Sequence, residues 1–261
     1  MTEVLMQIDH LAKSFGGVKA VIDFSMTLGK NQVVGIIGPN GAGKTTIFNL
    51  ISNVYMPDQG TILIDGKDIT KLSQIMKARM GIGRTFQNIR LFSTLSVLDN
   101  VKVACDYKAG CSMIESILRL PRSFANEKKI RSEAMACLEL VGMAHLANER
   151  PTNLPYGQQR RLEIARALVM KPKVLMLDEP AAGLNPEECF ELIDFLKDIL
   201  VTFDTSLIII EHRMDVVMNL CHKIYVQDFG KNIACGTPVE IQCNEAVLAA
   251  YLGEEIQDET A

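Results

Sequence analysis

Tryptophan is absent from this sequence, and aromatic residues make up only 6% of it. No hydrophobic run approaches the roughly 20 residues that cross a bilayer, and the opening residues lack the basic and then apolar pattern of a secretory signal. Hydrophobic residues still form 48% of the 261-residue chain and charged residues 22%, a balance typical of a soluble globular protein with a large core. We therefore expect a cytosolic protein whose membrane role would need separate membrane-embedded partners.

Positive charge is not in excess, and the cysteines form no pattern. Lysine and arginine number 27 against 31 aspartates and glutamates, giving a formal net charge of −4. No broad basic field is therefore available for nucleic acid or anionic lipid. The seven cysteines are scattered, odd in number and without a CxxC pair, which disfavours a disulfide framework or a zinc site. We expect reduced thiols and no nucleic-acid partner.

A glycine-rich segment at residues 38–46 is the most informative part of the chain. It matches the phosphate-loop pattern GxxxxGK[ST], after an apolar run that predicts a buried strand and before apolar residues at helical spacing. Glycines allow the backbone N–H groups to approach phosphate oxygens, and the start of a helix favours an anion. Lys44 is predicted to reach the β- and γ-phosphates, and Thr45 to bind Mg²⁺. The predicted nucleotide-binding residues are Gly38, Pro39, Asn40, Gly41, Ala42, Gly43, Lys44, Thr45 and Thr46.

Two acidic residues follow a second buried strand. The apolar run at 174–177 ends in Asp178, at the strand end where open α/β sheets bind ligands. A carboxylate at this position can hold Mg²⁺. Glu179 comes next, where the chain turns toward Pro180, and we expect it to face an attacking water while Asp178 faces the metal.

Further strands flank a helical middle region. Residues 61–69 predict a hairpin that turns at Asp65-Gly66, and residues 223–235 predict another that turns at Phe229-Gly230. Residues 207–210 predict a buried strand. Residues 88–170 carry mostly helical patterns and indicate a helical insert in an α/β core.

Two features of the insert have alternative interpretations. One is an apolar stripe at helical spacing, for which core packing is favoured over a groove for a partner; it consists of Met113, Ile114, Ile117, Leu118 and Leu120. The other is a set of arginines on a predicted helix, Arg160, Arg161 and Arg166, for which a solvated face or salt bridges is favoured.

Besides the phosphate loop, six segments resemble, in order and rough spacing, those of ABC-transporter ATPases. The resembling residues are Phe15, the aromatic that would stack on adenine; Gln87 of the Q-loop; Leu154, Pro155, Tyr156, Gly157 and Gln158 of the signature peptide; Asp178 and Glu179 of the Walker B segment; Ala182, Gly183, Leu184 and Asn185 of the D-loop; and the switch histidine His212. The resemblance covers nearly the whole chain. Four stretches show a closer resemblance, to the ATPase subunits of branched-chain amino-acid uptake systems. They are residues 83–92, 156–166, 181–186 and 249–254.

This resemblance implies one ABC ATPase domain over 1–261 with an α/β P-loop NTPase core. The core lobe would comprise residues 1–87 and 171–235, with a mixed sheet and an antiparallel β subdomain. A helical subdomain with the signature would cover 88–170, and a C-terminal helical tail 236–261.

The resemblance also implies a mechanism that uses ATP and Mg²⁺. Glu179 would accept a proton from water, and Lys44 and His212 would stabilise charge on the γ-phosphoryl group. Thr45, Gln87 and Asp178 would bind or sense the metal. Two ATPase subunits would meet head to tail, each capping the other's ATP, on the cytoplasmic side of the inner membrane. The partners would be transmembrane permease subunits and an extracytoplasmic substrate-binding protein.

Three residues depart from the family pattern. Pro155 stands where the signature has serine and Tyr156 where it has its first glycine, so one hydroxyl donor to phosphate is missing. Asn185 stands where the D-loop has aspartate, which removes a charge but keeps hydrogen bonding. We expect this chain to pair with a different ATPase that carries a serine signature, with a homodimer as the alternative.

The resemblance leaves the cargo open, because other subunits select it. Branched-chain or other hydrophobic amino acids are favoured over urea, short amides or lipopolysaccharide. An alternative of another class is a soluble ABC ATPase that acts on DNA or ribosomes. Such proteins carry long coiled-coil inserts or two ATPase halves, whereas this chain has no sustained heptad run and no second phosphate loop.

Overall fold

A single mixed sheet runs through the protein. The computed structural model describes residues 3–109 and 121–258, and in that part ten strands form the sheet. The strands are β1 (Val4–Phe15), β2 (Val18–Gly29), β3 (Val33–Ile37), β4 (Gln59–Ile64), β5 (Lys67–Asp68), β6 (Ile82–Arg84), β7 (Val174–Asp178), β8 (Ser206–Ile210), β9 (Lys223–Asp228) and β10 (Lys231–Gly236).

The sheet has an antiparallel part and a mainly parallel part. Its strand order is β5-β4-β1-β2-β10-β9-β3-β8-β7-β6. Strands β5, β4, β1 and β2 pair antiparallel, whereas β9, β3, β8, β7 and β6 run parallel. A parallel contact between β2 and β10 at Asp23 and Lys231 joins the two parts. The predicted α/β fold with a mixed sheet and an antiparallel β part is confirmed.

Helices cover the sheet and fill the middle of the chain. They are α1 (Lys44–Ile51), α2 (Gln74–Arg79), α3 (Val97–Ala109), α4 (Pro121–Leu140), α5 (Tyr156–Leu168), α6 (Pro186–Thr202), α7 (Met214–Leu220), α8 (Pro238–Gln242) and α9 (Glu245–Asp258). None of the described helices is both long and apolar enough to cross a membrane.

Alternate residues of the buried parallel strands pack into two apolar clusters. In β3, Val34 and Ile36 join the cluster that contains α1 and the antiparallel strands, whereas Val33 and Ile37 join the cluster that contains α3 to α7. Both faces of the strand are therefore covered, which explains why it is apolar at nearly every position.

Both predicted hairpins form at the predicted turns. Asp65 and Gly66 have φ of 48° and 72°, and Phe229 and Gly230 have φ of 40° and 77°, the left-handed conformation of a two-residue turn that matches strand twist. The described residues of 88–170 contain α3, α4 and α5 and no strand. The predicted stripe at 113–120 lies outside the described residues, and the division into lobes stays a prediction.

Lys77, in α2, is a buried lysine beneath the helix that follows the phosphate loop. It is 1% exposed, and its ammonium donates to the main-chain carbonyls of Leu50 at 3.3 Å and Ile51 at 2.9 Å. These carbonyls end α1, where the helix dipole favours a cation. Burial lowers the pKa of Lys77 to about 8, because the charged ammonium loses its hydration when it is buried.

We expect the free energy of unfolding of the wild-type protein, relative to a Lys77→Met variant, to rise between about pH 7 and about pH 9.5. The folded-state pKa of about 8 lies below the usual 10.5. The unfolded chain therefore binds more protons in this window, and stability increases with pH. Urea unfolding of both proteins at the two pH values measures the change, which should exceed about 1 kcal/mol. A difference that stays constant with pH would contradict a buried ammonium.

Candidate active site

Three parallel strands deliver the predicted site residues to one edge of the sheet. β8 lies between β3 and β7, with Ile210 opposite both Ile36 and Asp178. The phosphate loop follows β3, Glu179 follows β7, and His212 comes soon after β8. Because the carboxyl ends of parallel strands share an edge, segments far apart in sequence meet there.

The backbone of the phosphate loop requires glycine at two positions. Gly38 has φ 147°, and a Cβ there would stand 1.9 Å from the carbonyl oxygen of Gln227. Gly43 has φ 98°, and its Cβ would stand 2.3 Å from the carbonyl oxygen of Ala20. Neighbouring backbone thus presses directly on the loop, and any side chain would displace it.

Lys44 begins α1 and is nearly buried, at 6% exposure. Its ammonium donates to the carbonyl oxygens of Gly38 at 2.6 Å and Pro39 at 2.7 Å, so it lies against the loop that would hold phosphates. Thr45 follows in the first turn of α1, with an exposed side chain.

Asp178, at the end of β7, is 4% exposed and pairs with an arginine that sequence reasoning missed. Arg84 donates to Asp178 Oδ2 at 3.3 Å, to Asn49 Oδ1 at 2.8 Å and to Ser52 Oγ at 2.8 Å. Burial raises the pKa of Asp178, and the charge of Arg84 opposes that shift. An arginine in the last position of a short strand, β6, gave no local signal of this role.

The carboxylate of Glu179 brings three predicted residues together. Its Oε1 lies 2.9 Å from His212 Nε2, and its Oε2 accepts from Gln87 Nε2 at 2.9 Å. Glu179 itself has φ 48°, an uncommon left-handed conformation for a residue with a side chain. Its N–H donates to the carbonyl oxygen of Ile210 at 2.9 Å, which ties this turn to β8.

Glu211, the residue before the switch histidine, is a second residue that sequence reasoning missed. It is 2% exposed, and it accepts from the N–H groups of Ala181 at 2.6 Å and His212 at 3.1 Å. Burial raises the pKa of Glu211, while these hydrogen bonds lower it. Glu211 therefore joins the segment after Glu179 to the segment that carries His212.

Of the three residues that depart from the family pattern, Asn185 and Tyr156 make defined contacts within this chain. Asn185 caps α6 in a capping box: its side chain accepts from Glu188 N–H at 2.9 Å, and Glu188 accepts from Asn185 N–H at 2.9 Å, as aspartate would. Pro155 occupies the N-cap of α5, and no side-chain hydrogen bond caps that helix. The ring of Tyr156, 42% exposed, packs against Gly183 of the D-loop segment.

Phe15 ends β1 as a partly exposed aromatic ring, at 40% exposure. Tyr55 meets it edge to face, with ring centroids 5.0 Å apart. Lys13 lies 5.6 Å from the Phe15 ring and pairs with Asp58 at 2.7 Å. Sequence reasoning missed Tyr55, which supports the predicted adenine-stacking ring from one side.

The arginines of α5 differ from one another. Arg161 pairs with Glu191 at 3.3 Å, as the salt-bridge alternative predicts. Arg160 also forms an ion pair, with Glu163 at 2.8 Å, but it is 1% exposed. The solvated-face alternative is therefore wrong for Arg160, whose guanidinium faces the Q-loop segment instead.

Comparisons with known proteins point to one family. Residues 21–182 match the family model described as ABC transporter, and residues 231–256 match that of the branched-chain amino acid ATP-binding cassette transporter. The chain is 41% identical over 254 residues to the high-affinity branched-chain amino acid transport ATP-binding protein LivG of Escherichia coli, covering 97% of this chain and 100% of that protein. It is 33% identical to the lipopolysaccharide export system ATP-binding protein LptB of Haemophilus influenzae, covering 97% and 99%. A crystal structure of an ATP-binding cassette of an ABC transporter in its ADP conformation superposes with a TM-score of 0.85 at 30% identity, covering 97% and 100%.

An Arg84→Met variant should lose about 3 kcal/mol of unfolding free energy at about pH 8, because it leaves the buried carboxylate of Asp178 without its partner charge. The loss should be smaller at about pH 5, since an unpaired Asp178 with a raised pKa binds a proton there while the unfolded chain does not. Urea unfolding measures both values. The double variant Arg84→Met/Asp178→Asn is the control and should recover most of the stability at the higher pH. Equal losses at both pH values would contradict the pairing.

Proposed function

This chain belongs to the ATP-binding subunits of ABC transporters, and from that premise we propose that it powers an importer for branched-chain or other hydrophobic amino acids. As a member of this family it binds nucleotide and hydrolyses ATP. The cargo proposal is supported by the 41% identity to LivG over nearly the whole chain and by the family match at residues 231–256. The lipopolysaccharide alternative has weaker support, with 33% identity.

The observation that carries the catalytic proposal is the Glu179 carboxylate, held between Gln87 and His212 on the edge of the sheet that also carries the phosphate loop. In this role Glu179 accepts a proton from the attacking water, which is generally worth about 10²–10⁴ in rate. His212 and Lys44 stabilise charge that develops on the γ-phosphoryl oxygens. Gln87 holds the carboxylate on its other side and links the site to the following segment.

Nucleotide binding requires Lys44 to exchange partners. Its ammonium now satisfies the carbonyls of Gly38 and Pro39, and phosphate oxygens would take over those hydrogen bonds. The N–H groups of residues 40–46 would surround the phosphates, since Pro39 has no N–H, and Phe15, backed by Tyr55, would stack on adenine.

The residues at the edge of the sheet fit Mg²⁺. The buried carboxylate of Asp178 ends β7 and is linked through Arg84 to Asn49 of α1, and Thr45 is an exposed residue with a hydroxyl in the first turn of that helix. Both are oxygen donors of the kind that Mg²⁺ prefers. Mg²⁺ bound to ATP neutralises phosphate charge. Gln87 is a third donor by this proposal, through its amide oxygen, because its amide nitrogen donates to Glu179.

The proposed assembly has a second ATPase, permease subunits and an extracytoplasmic substrate-binding protein. The chain would lie on the cytoplasmic side of the membrane, attached through the permease. The signature peptide supports a heterodimer because Pro155 lacks both a hydroxyl and an N–H. A partner with a serine signature would cap the ATP held by Lys44. The DNA or ribosome alternative has no support from the relatives reported above.

A Glu179→Gln variant should bind Mg-ATP with wild-type affinity and lose at least about 100-fold in turnover, because the amide cannot accept the proton. Calorimetry and phosphate release measure the two quantities in the assembled transporter. Uptake of labelled leucine should fall in parallel. Glu139→Gln, at an exposed position of α4, is the matched control and should behave as wild type. Normal ATP turnover of Glu179→Gln would exclude Glu179 as the base. Failure of the wild-type transporter to take up labelled leucine would contradict the proposed branched-chain amino-acid cargo.

Pro155→Ser should raise the ATP turnover of the purified chain several-fold, since serine restores the missing hydroxyl and also caps α5. Adding a second ABC ATPase with a serine signature should raise the turnover of the wild-type chain in the same assay. If neither change increases phosphate release, the missing hydroxyl is not what limits a homodimer.

A further inference from the structure

Arg160 is the largest fully buried side chain in the described part of the protein. It lies in the second turn of α5, the helix that starts at the signature peptide. Burying a guanidinium is costly unless its N–H groups find acceptors. The acceptors of Arg160 come from three segments that are distant in sequence.

One terminal nitrogen of Arg160 hydrogen-bonds to the main chain of the Q-loop. Nη1 donates to the carbonyl oxygen of Phe86 at 3.1 Å and to Glu163 Oε2 at 2.8 Å. Glu163, 4% exposed, also accepts from the N–H of Phe86 at 3.5 Å through its other oxygen. Both main-chain groups of Phe86, the residue before Gln87, are therefore held by one buried ion pair.

The other terminal nitrogen bridges the two residues whose side chains meet in the site. Nη2 donates to the carbonyl oxygen of Gln87 at 3.1 Å and to that of Glu179 at 3.5 Å. The side chains of the same two residues hydrogen-bond at 2.9 Å. The backbone bridge thus fixes the spacing on which the side-chain contact depends, and Glu179 needs such support because its φ is 48°.

Arg160 also contacts the signature end of its own helix. Nη2 lies 3.3 Å from the hydroxyl of Tyr156, and the guanidinium carbon lies 5.9 Å from that ring. Arg161, the neighbouring residue, contacts Glu191 and the ring of Phe195 instead. Adjacent arginines on one helix thus have separate surroundings.

We propose that Arg160, supported by Glu163, is a positioning residue that sets Gln87 and Glu179 for hydrolysis. The inference rests on the proposed function of Glu179. By this proposal Arg160 acts through the main-chain carbonyls that it binds, and not by contact with the nucleotide. It therefore affects the placement of the catalytic carboxylate, and an error of about 1 Å in such placement can cost about 100-fold in rate.

The test compares Arg160→Lys with wild type in the assembled transporter. Lysine keeps the charge that Glu163 needs, but its single ammonium cannot span the three carbonyls. We expect kcat to fall at least about 10-fold, with KM for ATP, nucleotide affinity and melting temperature close to wild type. Arg160→Met should lower kcat further, so that lysine gives partial rescue.

Arg161→Lys is the matched control and should leave kcat and KM within about twofold. If Arg160→Lys does not fold, Glu163→Gln replaces it, with kcat expected to fall about threefold at unchanged KM. A wild-type kcat in the folded variant, or a loss of kcat that only follows lost ATP affinity, would overturn the proposal. Failure of the wild-type protein to hydrolyse ATP would instead reject the proposed function itself.

Discussion

The carboxylate of Glu179 is the point on which the arrangement of the site depends. Gln87 and His212 reach it from two different segments, each at 2.9 Å. This meeting is possible because β6, β7 and β8 are parallel neighbours whose carboxyl ends share an edge. Buried charges then fix each segment: Arg84 holds Asp178, Glu211 holds the turns beside Glu179 and His212, and Arg160 holds the Q-loop.

Much of the fold could be predicted because its signals are local. The phosphate loop, the acidic end of β7 and the turn at Asp65-Gly66 are each defined by a few adjacent residues, and the loop and the turn also by glycine at positions of positive φ. Continuous apolar runs indicated the parallel strands because the sheet is covered on both faces. The family resemblance then ordered these pieces along the chain.

The supporting charges of the site could not be predicted in the same way. Arg160 and Gln87 are 73 positions apart, and Arg84 and Asp178 are 94 apart. Nothing local distinguishes an arginine that folding will bury from one that stays in water, so Arg160 resembled a residue of a solvated helix face. Whether Arg160 is buried or solvated is determined only by the packing of α5 against the Q-loop. Lys77 and Glu211 were missed for the same physical reason.

A crystal structure of the Glu179→Gln variant with Mg²⁺ and ATP tests the central claim most directly. The measured quantity is the distance from the side chain at position 179, through one ordered water, to the γ-phosphorus. The expected result is a water within about 3 Å of both groups, with His212 and Lys44 on the γ-phosphate oxygens. A γ-phosphate that faces away from position 179, with no water between them, would contradict the assignment of Glu179 as the base.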